Sequence, residues 1–217
     1  MKKSLFNADF VVIGAGIIGL SIARELKRRY RDSRVILLEK EEKIAEHASG
    51  RNSGVLHAGF YYSADSLKAK LTREGNRRLT AYCLEKKIPL NCCGKLVVAR
   101  QEEDRRGLHE LLKRARLNGI PLELISDKEA KEIEPRVKTY QEALFSPTTA
   151  SVSPRRVVEQ LVADARAEGI DLLLGVKYVG KRGPLLQTNQ GSCEAGYVVN
   201  AAGLYADRVA KSFSFSK

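Results

Sequence analysis

Three glycines constrain this chain most: Gly14-Ala15-Gly16-Ile17-Ile18-Gly19, set between a short apolar run and a stretch of helical periodicity. Phe10-Val11-Val12-Ile13 has the β-branched, unbroken apolarity of a central parallel strand covered on both faces. From Ile17 to about Tyr30 the spacing predicts a helix, with Ile18, Ile22, Ala23 and Leu26 along one side. Val35-Ile36-Leu37-Leu38 reads as a second buried strand, ending at Glu39. Strand, glycine turn, helix and strand in so short a span make a βαβ unit with a right-handed crossover. Each glycine has a physical reason. Gly14 permits the tight turn, Gly16 lets backbone approach a pyrophosphate, and Gly19 lets the helix close onto the sheet. The amides of Ile17 and Ile18 then open the helix, where free N–H groups and the positive dipole end favour phosphate. Glu39, twenty residues beyond Gly19, suits the hydroxyls of a ribose and disfavours a 2′-phosphate. Lys40 follows it and joins the expected cofactor-contacting set. The pattern implies a dinucleotide, against the blander alternative of a ligand-free glycine turn, and does not by itself separate FAD from NAD.

Composition excludes several classes. At 43% hydrophobic and 29% charged, the 217 residues are ordinary for a globular chain. Met1-Lys2-Lys3 before an apolar stretch superficially resembles a signal peptide, but no small-residue cleavage site follows. The stretch is also too short to span a bilayer. The expectation is a soluble cytoplasmic chain. Of the four cysteines, Cys92 and Cys93 are adjacent and no CxxC occurs, so free buried thiols are expected and no metal site. The net charge of +12 is concentrated in residues 24–34 and 100–116. There it alternates with Leu or Ile at helical spacing, as on solvated helix faces. Attraction to anionic lipid at the inner face of a membrane is compatible with it. No nucleic-acid motif occurs, and aromatics are not interleaved with the basic residues.

Further along, residues 44–64 lack periodicity and read as a ligand-side loop. A helix is expected from Ser66 to about Lys86, with Ser66 as N-cap, then a strand at Gly94–Ala99 and a charged helix from Glu102 to Asn118. Ser126-Asp127-Lys128-Glu129 resembles a capping box. Pro154 opens a helix to about Glu168, and strands follow at 171–176, on either side of Gly191, and at 197–203.

Arg51-Asn52-Ser53-Gly54-Val55-Leu56-His57-Ala58-Gly59, then Tyr61-Tyr62 and Ser66-Leu67-Lys68-Ala69, resembles the stretch after the first βαβ unit in L-2-hydroxyglutarate dehydrogenases. These are flavoenzymes of the glycine oxidase/D-amino-acid oxidase superfamily. The resemblance continues through Cys93–Ala99, Ser151-Val152-Ser153 and Asn200-Ala201-Ala202-Gly203-Leu204-Tyr205-Ala206-Asp207. It implies FAD as the cofactor, with Ser53 and Gly54 near the flavin and Val176 offering backbone N–H and C=O to adenine. It also implies that Ala202 and Gly203 close a turn beside the pyrophosphate, where small residues allow close backbone approach. Simple packing is the alternative for that turn. His57 is the candidate base for an alcohol-to-ketone oxidation, a task that suits a near-neutral imidazole, although one loop histidine can equally serve a structural bond. Arg51 and Lys68 are candidates for a substrate carboxylate, and Tyr61 for the pocket wall. His47 and His109 have no visible context.

The resemblance implies an α/β fold: a doubly wound, Rossmann-like FAD-binding domain from residues 1–80 and 151–217. A partial α+β substrate domain, residues 81–150, is inserted in it. It also implies oxidation of a small 2-hydroxy dicarboxylate, with oxygen or a quinone as electron acceptor. A flavin amine oxidase and a non-catalytic FAD-binding remnant are the alternatives. Family members carry a further C-terminal half, so a truncated chain is expected.

Overall fold

A computed structural model of the chain describes residues 4–215; the Met1-Lys2-Lys3 start and the last two residues of the tail lie outside them. In chain order the strands and helices are β1 (Ser4–Ile13), α1 (Ile17–Arg29), β2 (Val35–Leu38), β3 (Val55–Leu56), α2 (Leu67–Glu85), β4 (Leu90–Asn91) and β5 (Lys95–Val98). Then come α3 (Glu102–Leu117), β6 (Glu123–Ser126), α4 (Asp127–Ile133), β7 (Glu142–Ser146), β8 (Ala150–Val152) and α5 (Pro154–Ala167). The last are β9 (Asp171–Leu173), β10 (Tyr178–Arg182), β11 (Leu185–Thr188), β12 (Gly191–Asn200) and α6 (Ala206–Ser212). The chain divides into two compact units, residues 1–52 with 154–217, and residues 53–153.

The first unit is a six-stranded sheet in the order β10-β11-β12-β1-β2-β9. Four strands are parallel, with Val11 opposite both Val198 and Ile36, and Leu37 opposite Leu172. Strands β10 to β12 form an antiparallel meander on one edge. Val11, Val12 and Val35 to Leu38 are almost wholly buried, as a parallel strand covered on both faces requires. Helices α1 and α5 pack on each other, while α6 packs on β10 and β12. Val209 of α6 joins Val11, Ile13, Ile36, Leu38 and Leu186 in one apolar cluster.

The second unit holds two three-stranded sheets, β3-β8-β4 and β5-β7-β6. Helix α3 buries Leu108 and Leu112 against Ala99 and Leu144, and Ala115 against Ala58, Phe60 and Ile120. Ser66 caps α2 by accepting from the Ala69 amide at 3.1 Å, and the Ser126/Glu129 capping box on α4 forms in both directions. Residues 53–80 were expected with the first unit. They belong to the second because α2 packs on β3 and β4, and β3 pairs with β8.

Two expectations fail on burial. Arg24 is not on a solvated helix face. It is 8% exposed, on the α1 face turned to α5, and its guanidinium meets Asp164 at 2.9 Å and Glu168 at 2.8 Å. The cysteines are not uniformly buried either: Cys83 and Cys193 are, but Cys92 and Cys93 are exposed.

Removing one partner of a buried ion pair strands the others, so Arg24→Ala should cost about 3 kcal/mol in urea unfolding. Burial resists ionisation of Glu168, but hydrogen bonds from Arg24 and Arg28 outweigh it and hold that carboxyl below the ordinary glutamate range. A carboxyl depressed by folding stabilises fully above its unfolded pKa, and the stabilisation is lost as pH falls through the folded one. Stability of the native chain should therefore decline on acidification, and Arg24→Ala should flatten that decline.

Candidate functional site

The first unit brings the glycine turn, the end of β2 and the turn after β12 to one edge of the parallel sheet. Gly14 follows β1 with φ +106°, which L side chains rarely adopt. Its amide donates to the Leu38 carbonyl at 2.8 Å. A Cβ built on Gly14 would stand 2.4 Å from the Ala201 carbonyl oxygen, and one on Gly19 would stand 1.9 Å from the Gly14 carbonyl oxygen. Strand, helix and second turn can meet only because both positions lack a side chain. Beside them the Ala201 amide donates to the Ile13 carbonyl at 2.9 Å. Gly203 differs. A Cβ there would touch nothing within 4 Å, so its φ of +56°, not packing, calls for glycine.

Glu39 turns back onto the loop. One carboxylate oxygen accepts from the Ala15 amide at 3.1 Å and the other from the Glu41 amide at 3.1 Å. The sequence expectation missed Ser49, whose hydroxyl accepts from the Ile17 amide at 3.0 Å and lies 3.0 Å from where a Gly16 Cβ would be. Ser49 thus caps α1 from a loop 32 residues away in sequence, a distance at which no capping pattern is legible. It leaves the amides of Gly16 and Ile18 without an acceptor among the described residues. The amides of Gly16 and Ile18, at the positive end of the α1 dipole, are donors of the kind a phosphate accepts from.

Lys40 and Val176 are each held by contacts within the first unit. The Lys40 ammonium pairs with Glu41, lies 2.9 Å from His47 Nε2, and sits over the Tyr205 ring at 4.9 Å. His47, without context in the sequence, also meets Glu41 at 2.8 Å. Hydrogen bonds from Lys40 and His47 hold the Glu41 carboxyl down at about 2. The Val176 amide donates to the Glu39 carbonyl at 2.9 Å, so the expected N–H offer to adenine is corrected: that donor already continues the sheet edge. Arg51 is exposed, 3.6 Å from Glu46, which also binds Arg155 at 3.1 Å.

The remaining expected residues lie in the second unit. Gly54 is buried with φ +69°, and its carbonyl accepts from the Val152 amide at 2.9 Å, while Ser53 is exposed. His57 follows β3, is exposed, and has no polar partner among the described residues. Tyr61 packs its ring on Phe60 at 4.4 Å under the Lys95 ammonium, and Lys68 lies over the Tyr62 ring at 4.6 Å. His109 meets Glu142 at 2.8 Å beside Arg105, whose hydrogen bond is the main cause of the lowered Glu142 pKa. Among the described residues there is no cluster of three potential metal ligands, and no helix is long and apolar enough to cross a membrane.

Comparison with known proteins bears on the family and the fold. A family model described as FAD dependent oxidoreductase (DAO) matches residues 9–216. The chain is similar to an L-2-hydroxyglutarate dehydrogenase of Escherichia coli, 39% identical over 208 residues, which cover 94% of this chain and 49% of that protein. It is also similar to the mitochondrial L-2-hydroxyglutarate dehydrogenase of Homo sapiens, 36% identical over 227 residues, covering 97% and 49%. The chain thus spans about half the length of the curated relatives it matches. Among solved structures, glycine oxidase from Geobacillus kaustophilus superposes with a TM-score of 0.85 at 26% identity, covering 96% of this chain and 58% of that one. The dithionite-reduced, FAD-bound L-α-glycerophosphate oxidase from Mycoplasma pneumoniae gives 0.84 at 26%, covering 95% and 56%.

The two glycines make separable demands. Gly14→Ala adds a steric clash to an unfavourable φ and should destabilise by at least about 2 kcal/mol, whereas Gly203→Ala meets only the φ penalty, about 1 kcal/mol. Urea midpoints of the two variants compare them directly. Ser49→Ala removes the α1 cap and should cost about 1 kcal/mol in the same assay.

Proposed function

Because this chain belongs to the FAD-dependent oxidoreductase family, we propose that it oxidises a small 2-hydroxy acid to the 2-oxo acid, with L-2-hydroxyglutarate as the substrate. One observation carries the cofactor part: Glu39 closes on the Ala15 amide at the edge where the two glycine turns touch. The hydroxy-acid part rests on the 35–39% identity to proteins named L-2-hydroxyglutarate dehydrogenase. When bound, FAD supplies an acceptor for the two electrons that leave the substrate carbon.

The protein's own contributions follow from its residues. In this reading the first unit is the FAD-binding domain and the second unit is part of a substrate domain. The amides of Gly16 and Ile18 take the diphosphate, Glu39 takes a ribose, and the small residues Ala202 and Gly203 leave room beside them. Ser53 and Gly54 would meet the flavin ring, as the family resemblance implies. His57, whose imidazole has no polar partner among the described residues, removes the hydroxyl proton, and Arg51 and Lys68 offer positive charge to a substrate carboxylate. Oxygen or a membrane quinone takes the electrons onward, and the surplus of positive charge suits contact with an anionic membrane surface. A second reading, oxidation of a small amine or amino acid, is favoured by the likeness to glycine oxidase at a TM-score of 0.85.

Loading the purified 217-residue chain with FAD and adding substrate without oxygen separates the readings. Bleaching of flavin absorbance by L-2-hydroxyglutarate, but not by glycine or sarcosine, is expected. Bleaching by the amines alone overturns the hydroxy-acid reading, and FAD retention without any bleaching reduces the chain to a flavin-binding remnant. Glu39→Ala should weaken FAD binding about tenfold or more, as the loss of a hydrogen-bonding charge does. His57→Gln should keep FAD but slow its reduction by on the order of a hundredfold.

A further inference from the structure

The two exposed cysteines stand apart from everything above. Cys92 and Cys93 fill the link between β4 and β5, which belong to different sheets of the second unit. The link is pinned at both ends: Asn91 pairs with Ser151, and Lys95 pairs with Ser146. Gly94, at φ +69°, leaves space that Phe145 fills, since a Cβ there would stand 2.4 Å from the Phe145 ring. The backbone carrying the two thiols is therefore held on each side within two residues. Both side chains face solvent, and the contact of Cys93 Sγ is a weak one, 3.5 Å to the Gly94 carbonyl.

We propose that Cys92 and Cys93 form a vicinal dithiol site that chelates one thiophilic centre, a trivalent organoarsenical being the chemical class it fits. Three physical points select that ligand. Adjacent Cα atoms are about 3.8 Å apart, below the roughly 4.4–6.8 Å usual for a disulfide, so bridging sulfur to sulfur is strained and the reduced pair persists. Two thiolates fall short of the four ligands a structural zinc takes, and no third potential ligand completes a cluster among the described residues. An arsenic atom that already carries one organic group needs two sulfurs and no more. The reaction balances without an oxidant. In phenylarsine oxide the arsenic–oxygen bond gives way to two arsenic–sulfur bonds, the two thiol protons leave with the oxygen as water, and arsenic stays trivalent.

The other two thiols serve as internal controls. Cys83 and Cys193 are buried, and burial pushes the Cys193 thiol up to about 11, so neither offers thiolate. In the native 217-residue chain an aromatic disulfide reagent should modify two thiols fast and two slowly. One equivalent of phenylarsine oxide should remove both fast thiols together, reversed by a dithiol such as 2,3-dimercaptopropanol and not by an equal concentration of a monothiol. Cys92→Ser and Cys93→Ser should each weaken retention by on the order of a hundredfold or more, as losing one arm of a bidentate grip does. Continued slow reaction of Cys83 and Cys193 shows that each variant is folded. Two fast thiols surviving the arsenical, or serine variants that hold it as tightly as the parent, would overturn the proposal.

Discussion

The first unit depends on one close approach, that of Gly14 to the Ala201 carbonyl. Strand β1 is hydrogen-bonded between β12 and β2, and all three run in the same direction. Their carboxyl ends therefore reach the same edge, and the turns that leave them compete for the same space. A side chain at Gly14 would push the turns apart by more than the strand pairing tolerates. With none, Ile13 and Gly14 bond to both neighbours, α1 starts over the edge, and Glu39 at the end of β2 reaches the Ala15 amide. Ligands of open α/β sheets bind at that edge because free amides and helix dipoles converge there.

The same edge solves a problem of polar satisfaction. A helix start has amides with no acceptor of its own, and burying them unpaired is costly. Ser49 takes the Ile17 amide and Glu39 takes that of Ala15, so the turn is ordered by protein groups, while the Gly16 and Ile18 amides have no acceptor among the described residues. The loop that delivers Ser49 is itself tight: a Cβ on Gly50 would stand 2.0 Å from the Ala45 carbonyl oxygen. Beyond Glu39, the chain turns into the Lys40, Glu41, His47 and Tyr205 group, in which charges neutralise one another at the surface.

The second unit is built by different means. Its sheets are small and antiparallel, and it relies on α3 and the aromatic stack of Phe60 and Tyr61 for its core. His57, Gly54 and Lys68 lie in this unit, whereas the glycine turns and Glu39 lie in the other. Of the residues proposed for the cofactor, the glycine turns and Glu39 lie on the first unit and Ser53 and Gly54 on the second, while Arg51 of the first unit and His57 and Lys68 of the second carry the proposed substrate chemistry. The family match spans both units, so they are parts of one enzyme architecture.

The sequence by itself determined the βαβ unit, the glycine turn, the helices that carry caps and the flavoenzyme family. Those signals are local: a period, a cap or a glycine is written within a few residues of the structure it causes. The short strands were not legible, because β3, β4 and β8 are two or three residues long and exist only through pairing with one another. Tertiary structure decided Ser49 as the cap of α1, Arg24 as a buried ion-pair centre and the Val176 amide as a sheet donor. Each depends on a partner at least 32 residues away, and no periodicity records what a side chain meets across such a separation.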